Sequence, residues 1–137
     1  MDGSAARRVE FEESGEGRSP RMPLRRPGMR GDETAIALCD AVVDIVAALS
    51  AVPGREIRSR ARESRAASQA RHMAMYVSHV VLGLSMRQVG IGFGRDRTSI
   101  VYACHLIEDM RDDIDFDRLV AMVERVVGAA LGRRRSE

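Results

Sequence analysis

The sequence predicts an all-α protein: a compact helical bundle that contains a helix-turn-helix and is preceded by a disordered N-terminal tail. Apolar residues recur at helical spacing in four long segments, and residues that cap or break helices stand at their ends. The 137 residues suffice for one domain with its own core and are too few for two of typical length. We expect a tail over 1–31, one domain over 32–132 and a basic tail over 133–137.

The first 31 residues lack the pattern of a folded segment. They hold three of the four prolines and five glycines without apolar periodicity, so they bury too little surface to offset the entropy of ordering. The first helix is predicted from Thr34 to Val52, because Pro53-Gly54 stops it. A basic stretch with one short turn around Ile57 follows. The apolar stripe of the first helix comprises Ile36, Cys39, Val42, Val43, Val46 and Leu49.

A second long helix is predicted from Ala66 to Leu82, with Gly83 as its left-handed cap. The helix is amphipathic, and two of the three histidines lie on its polar face. Its buried stripe comprises Ala70, Met73, Ala74, Val77, Val80 and Val81, and its other face comprises Arg71, His72, Ser78 and His79.

A short helix is predicted to begin after Ser85 and to reach Phe93. Ser85 and Gln88 have the Ser-x-x-Gln spacing of a capping box. The alternative is a strand, since apolar residues alternate with glycines from Val89 onward, and each glycine costs roughly 1 kcal/mol in a helix. The pattern leaves both possibilities open.

Two further helices complete the predicted bundle. Asp96 is a good N-cap for a helix from Arg97 to Arg111, and a last helix runs from Phe116 to Leu131. The predicted inward residues are Ile100, Ala103, Cys104, Ile107 and Met110 in the former helix and Leu119, Met122, Val123, Val126 and Val127 in the latter, while Arg97, Thr98, Tyr102 and His105 face outward.

The net charge of +2 hides an uneven distribution. Residues 55–105 hold nine arginines against three acidic residues, whereas 1–54 and 106–137 each carry a net charge of −2. Such a basic segment suggests an anionic partner, with nucleic acid as the first candidate, although a solvated arginine face would have the same composition. All 22 basic residues are arginine, and the guanidinium group matches phosphate and guanine edges well.

A short helix, a glycine-containing turn and a helix with a polar first turn have the layout of a helix-turn-helix. In that arrangement the first helix braces the second, whose N-terminal side chains enter the major groove of DNA. Here those side chains belong to Arg97, Thr98 and Ser99.

Three blocks of the sequence carry a further pattern: they are Ala70-Arg71-His72-Met73-Ala74-Met75-Tyr76, Gly83-Leu84-Ser85-Met86-Arg87-Gln88-Val89-Gly90 and Phe93-Gly94-Arg95-Asp96-Arg97-Thr98-Ser99-Ile100-Val101-Tyr102-Ala103-Cys104. These blocks resemble the C-terminal DNA-binding domain of the bacterial chromosomal replication initiator DnaA. The resemblance covers roughly residues 36–130, with the blocks in the family's order. It implies a helical domain that binds duplex DNA at short asymmetric boxes, with a helix in the major groove and a basic arm in the adjacent minor groove.

The resemblance also implies roles for individual residues. The base-reading positions fall on Asp96, Arg97 and Thr98, and Arg95 and Ser99 lie beside them as phosphate or base contacts. The start of the bracing helix corresponds to positions that touch thymine methyls and backbone, and two histidines of the long helix fall at backbone-facing positions. The predicted DNA-binding residues are Arg60, Arg62, His72, His79, Met86, Arg87, Arg95, Asp96, Arg97, Thr98, Ser99, Tyr102 and His105.

The sequence departs from the family pattern at several positions. The family's histidine is Arg97 here, its proline after the capping serine is Arg87, and one of its two glycines before the Arg-Asp pair is missing. Its arm arginine aligns with Glu63, so Arg60 or Arg62 takes that role through a small shift. Since Arg97 can bind guanine O6 and N7 with its fork, we expect a preferred site different from that of a standard initiator. The chain has no lysine and no Gly-x-x-x-x-Gly-Lys-Ser/Thr loop, so the initiator's ATPase module is not expected in it.

The leading hypothesis is therefore a sequence-specific double-stranded DNA-binding protein. It would act as a transcriptional regulator or modulate replication initiation at sites like DnaA boxes, with RNA polymerase or replication proteins as further candidate partners. The alternative is a helical module that regulates a partner protein without binding DNA. No catalytic triad, cofactor or metal is expected, since the histidines lack carboxylates at ligand spacing and Cys39 and Cys104 suit a core. Without an apolar span or signal peptide, we expect a cytoplasmic, nucleoid-associated protein.

Overall fold

The computed structural model describes residues 27–60 and 64–132, with the backbone alone for 27–30. The chain divides into two compact units, 1–30 and 31–137, and of the first only the helical backbone of 27–30 is described. The predicted tails therefore lie outside the described residues over 1–26 and 133–137, as does Arg62. The predicted all-α class is confirmed. The described residues form α1 (Pro27–Ser50), α2 (Gly54–Arg58), α3 (Arg65–Val80), α4 (Met86–Phe93), α5 (Arg97–Met110), α6 (Ile114–Val127) and a π-helical segment (Gly128–Gly132).

Helix α1 differs from its prediction at both ends and in its buried face. It begins at Pro27, a residue that suits the first turn of a helix, and it ends at Ser50, before Ala51 turns to a φ of 60°. Ile36, predicted to be buried, is 47% exposed, whereas Ala35 is fully buried. The reason is the close packing of α4 on the face that contains Ala35 and Cys39.

Helix α3 is the central element, since it packs against α2, α4, α5 and α6. Its predicted polar face is partly wrong because neighbouring helices cover more than one of its sides: Arg71 and Ser78 are buried. The Arg71 Nε donates to the Ile57 carbonyl of α2 at 2.9 Å, which helps satisfy the buried guanidinium. Val80, assigned to the buried stripe, is 46% exposed at the end of the helix.

The ends of α3 are set by local hydrogen bonds. At the start, Ser64 accepts a hydrogen bond from the Ala67 amide at 3.1 Å. At the end, Gly83 has a φ of +73° and donates its amide to the His79 carbonyl at 3.1 Å. Gly83 therefore adopts the left-handed conformation that the sequence predicts for it.

Residues 86–93 form a helix, so the strand alternative is wrong. The Ser85 Oγ accepts from the Gln88 amide at 3.0 Å, and the Gln88 side-chain oxygen accepts from the Ser85 amide at 2.9 Å. Both bonds of the predicted capping box are present, and they fix the first turn of α4.

Helix α6 closes the bundle, but its apolar face is rotated from the predicted one. Val120 is fully buried, whereas Val126 is 37% exposed. Asp113 caps α6 at Ile114, two residues before the predicted start, and accepts from the Phe116 amide at 3.1 Å. The residues of α6 that lie in the core are Val120, Val123 and Val127.

An arginine network joins α3, α5 and α6 at the end of α5. Arg111 donates to Asp117 at 2.5 Å, to Glu124 at 2.9 Å and to the Tyr76 hydroxyl at 3.1 Å. The Tyr76 hydroxyl donates in turn to Glu108 at 2.8 Å. The hydrogen bond that Arg111 donates to Glu124, followed by those it donates to Asp117 and Tyr76, raises the pKa of the Arg111 guanidinium despite its partial burial. The C-terminal end of α5 is therefore tied to α3 and α6 by several partly buried bonds.

Candidate helix-turn-helix interface

The turn between α4 and α5 folds back onto α4. Gly94 has a φ of +67°, and the Arg95 amide donates to the Gly90 carbonyl at 2.9 Å. Gly90 lies so close to this turn that a Cβ on it would be 2.8 Å from the Arg95 carbonyl oxygen. Glycine at position 90 thus allows the backbone contact that sets where α5 begins.

A second glycine of α4 allows close packing against α1. A Cβ on Gly92 would lie 2.7 Å from the Cys39 Cβ and 3.3 Å from the Ala35 carbonyl oxygen. The bracing helix α4 is therefore held between α1 on one side and the turn on the other. Burial raises the pKa of the Cys39 thiol to about 11, as expected for a core cysteine.

Asp96 begins α5 as the sequence predicts. Its Oδ1 accepts from the Ser99 amide at 2.8 Å, which satisfies one of the free amides at the helix start. The backbone hydrogen bond from Ser99, and then that of the Ser99 side chain, lowers the pKa of the Asp96 carboxyl. With this cap in place, Arg97, Thr98 and Ser99 are all exposed in the first turn of α5.

The lowered pKa of Asp96 predicts a pH-dependent contribution to stability. A carboxyl with a depressed folded-state pKa stabilises the fold above its ordinary value of 3.8, and this stabilisation is lost as the pH falls through the folded-state pKa. Asp96→Asn should therefore be less stable than the wild type at neutral pH, and the difference should shrink below about pH 3.8. Urea unfolding of both proteins at neutral and acidic pH measures this difference. Asp109→Asn, at an exposed position of the same helix, is the control, and a difference that did not change with pH would contradict the assignment.

The exposed face of α5 continues with two ring-bearing side chains. Tyr102 is 60% exposed and His105 is exposed one turn further on. The ring of His72, on α3, meets the Tyr102 ring edge-on with their centroids 5.9 Å apart. The structure thus brings together predicted interface residues from two helices that are distant in sequence.

Three other predicted residues lie around the start of α4. The His79 Nδ1 is 2.7 Å from the Leu84 carbonyl oxygen, so this nitrogen carries the proton. Met86 packs against the core, and Arg87 is exposed with Nη2 3.5 Å from Asp32 of α1. His79 is thus held by a backbone acceptor, whereas Arg87 needs only to leave a weak, exposed ion pair in order to reach a phosphate.

Arg60 lies in the segment that precedes α3, and Arg95 lies in the turn between α4 and α5. Each of these arginines contacts the backbone of the segment that contains the other. Arg60 is exposed and its Nη1 donates to the Gly94 carbonyl. Arg95 is half-buried and its Nη2 donates to the Ser59 carbonyl at 3.1 Å. The segment at residues 59–60 therefore lies against the turn that precedes α5.

Sequence reasoning missed several residues that build this interface. In the sequence Gly90 and Gly92 suggest a strand or weaken a helix, whereas glycines inside a capped helix also indicate close approach of another backbone. The contact of Asp32 with Arg87 and that of Ser59 with Arg95 have no local signal, since each joins segments far apart in the chain.

The described residues contain no group of three His, Cys, Asp or Glu side chains able to hold a metal ion. Nor is any helix in the described ranges long and apolar enough to cross a membrane.

The structure is that of a helix-turn-helix protein. Helix α4 packs against α5, a tight glycine turn joins them, and α5 is capped and has an exposed first turn. Comparison with known families agrees: a family model described as the bacterial dnaA protein helix-turn-helix matches residues 39–107. The chain belongs to this family.

Two known proteins show how far the similarity extends. The chromosomal replication initiator protein DnaA of Thermodesulfovibrio yellowstonii is 31% identical over 77 residues, which cover 54% of this chain and 17% of the initiator. A crystal structure described as a DNA replication initiation factor superposes with a TM-score of 0.63 at 27% identity, covering 72% of this chain and 30% of that one. The chain thus spans less than a third of the length of either relative.

Proposed function

We propose that this protein binds duplex DNA sequence-specifically, with α5 in the major groove, and that it regulates transcription or modulates replication initiation at sites related to DnaA boxes. The observation that carries this proposal is the exposed first turn of α5, in which Arg97, Thr98 and Ser99 follow the Asp96 cap within a helix-turn-helix of the DnaA family. Exposed polar side chains at this position are the ones that reach base edges when such a helix docks.

The chemistry of the first turn suits base reading. The Arg97 guanidinium can donate two hydrogen bonds to guanine O6 and N7, and the Thr98 methyl can contact a thymine methyl. Asp96 uses Oδ1 for its cap and is exposed, so its other carboxylate oxygen is able to accept from a cytosine amino group. The three residues therefore offer different preferences at neighbouring base pairs.

Phosphate contacts fall to residues on both sides of α5. We assign these contacts to Arg87, which is exposed, and to the pair formed by His72 and Tyr102, whereas the exposed Arg60 takes the role of the arm in the minor groove. His79 and His105 extend the same assignment. Such contacts fix the orientation of the protein on the duplex without reading sequence, and they make binding depend on salt.

The test begins with selection of bound duplexes from a random pool, followed by fluorescence anisotropy titrations of the selected duplex at several salt concentrations. We expect an enriched asymmetric motif and a decrease in log affinity of about 0.9 per phosphate neutralised for each tenfold rise in salt. If no duplex is enriched and none binds at moderate salt, the proposal fails and a protein-interaction module becomes the better hypothesis. Mapping the bound sites on the genome then distinguishes promoters from replication origins.

A further inference from the structure

Two arginine side chains join the turn of the helix-turn-helix to the segment that precedes α3. The Arg95 Nη2 donates to the Ser59 carbonyl at 3.1 Å, and the Arg60 Nη1 donates in return to the Gly94 carbonyl. We call the four residues Ser59, Arg60, Gly94 and Arg95 the arginine clasp. Each guanidinium binds the backbone of the other segment, so the clasp holds the two segments together from both sides.

The two halves of the clasp differ in exposure. Arg95 is half-buried, so its fork is held between the turn and the backbone of Ser59. Arg60 is exposed, and an exposed arginine loses little when it exchanges one acceptor for another. The hydrogen bond from Arg95 to Ser59 is therefore the more fixed of the two. Arg60, by contrast, can leave the Gly94 carbonyl and bind DNA.

We propose that Arg95 is a positioning residue that acts through the clasp. It holds the 59–60 segment against the turn that precedes α5, so that Arg60 enters the minor groove next to the major groove that α5 occupies. A segment already fixed at its start loses less conformational entropy on binding than one that is free. The inference rests on the proposed function, and it replaces a direct DNA contact of Arg95 with an indirect role.

A double-variant cycle on the full chain separates the two roles of Arg95. The probe is the duplex recovered by selection. Arg95→Lys keeps the charge but loses the fork, and we expect it to weaken binding roughly tenfold. In an Arg60→Ala background the same substitution should have almost no further effect, because Arg95 acts through Arg60. If Arg95 contacts DNA directly, its full loss will add to that of the arm, and this result would overturn the proposal.

Base analogues beside the selected motif give a second readout. Replacing flanking A·T pairs by inosine·cytosine leaves the minor-groove acceptors in place, whereas G·C adds an amino group there. We expect the wild type to bind the G·C duplex roughly tenfold more weakly and the inosine duplex almost normally. Arg95→Lys and a second variant, Arg95→Gln, should discriminate far less among the duplexes with A·T, inosine·cytosine and G·C flanks. Unchanged discrimination in both variants would also overturn the proposal.

Controls keep folding and function apart. Arg125→Lys changes an exposed arginine of α6 and should leave binding unchanged, and thermal melts report whether each variant is folded. A selection that recovers no duplex would sink the proposed function itself. If a duplex is recovered but the losses of affinity caused by the Arg95 and Arg60 substitutions are additive, only the positioning role of Arg95 is contradicted.

Discussion

Gly90→Ala is expected to destabilise the protein by about 1 kcal/mol, because overpacking a tightly packed site costs about 2 kcal/mol and alanine in place of glycine returns about 1 kcal/mol in a helix. The added Cβ would lie 2.8 Å from the Arg95 carbonyl oxygen, which belongs to the backbone of the turn and not to a flexible side chain. Either the turn moves away or α4 shifts in the core. Alanine is favoured over glycine in a helix by about 1 kcal/mol. The measured loss in the free energy of unfolding is therefore the cost of the steric collision minus this gain.

Urea unfolding followed by circular dichroism measures the effect of Gly90→Ala, and Gly31→Ala is the matched control. Gly31 also lies in a helix, but a Cβ there would meet only the Gln88 side-chain nitrogen, at an ordinary 3.8 Å. We expect this control to be as stable as the wild type or slightly more stable. Equal stability of the wild type and Gly90→Ala would show that the turn yields easily, and the role given to Gly90 would be wrong.

The position of Gly90 predicts a second effect. Because the turn determines where α5 begins, its displacement moves the capped first turn with Arg97. Gly90→Ala should therefore bind the selected duplex more weakly at temperatures where it is still fully folded. If Gly90→Ala lowers stability without lowering affinity, α4 has shifted and not the turn, and the position of α5 is unchanged.

The parts of the fold that sequence predicts well depend on neighbouring residues. The capping box of Ser85 and Gln88, the Asp96 cap and the left-handed Gly83 all act within a few positions of the chain. Local hydrogen bonding decides them, so a pattern of residue types is enough. The start of the candidate recognition helix at Arg97 was predictable for the same reason.

Burial was predicted less well, because it depends on which helices meet. Arg71 was placed on a polar face, yet α3 is surrounded by four helices and Arg71 is buried against the Ile57 carbonyl. Ile36 was placed in the core, yet the approach of α4 over Gly92 makes Ala35 the buried residue. Helical periodicity shows that one face is apolar, but it does not show how many faces are covered.

The orientation of long side chains at the site was the least predictable feature. The Arg95 guanidinium lies against the Ser59 carbonyl, 36 positions earlier in the chain. Nothing near Arg95 in the sequence indicates this partner, and a family position alone suggests only that the residue is near DNA. The distinction between contacting DNA and positioning a segment that does so required the tertiary structure.

Arg97→Ala is expected to reduce affinity for the selected duplex by about 1 to 3 kcal/mol and to remove base preference at one position of the motif. The side chain is exposed in the first turn of α5, immediately after the Asp96 cap, where a recognition helix meets base edges. Guanine is the base whose major-groove edge matches a guanidinium fork. Repeating the selection with the variant should therefore recover the wild-type motif with one relaxed position.

The comparison with Arg60→Ala decides whether Arg97 reads a base or only supplies charge. Loss of the Arg60 contact should weaken binding and reduce the salt slope by about 1, without relaxing the position of the motif that Arg97 reads. A base contact should lower affinity for the selected duplex much more than for random DNA. Arg118→Ala, at an exposed position of α6, controls for the loss of one positive charge. If Arg97→Ala leaves the motif unchanged while it lowers binding to every duplex, Arg97 contacts phosphate, and base reading must be assigned to Asp96 and Thr98.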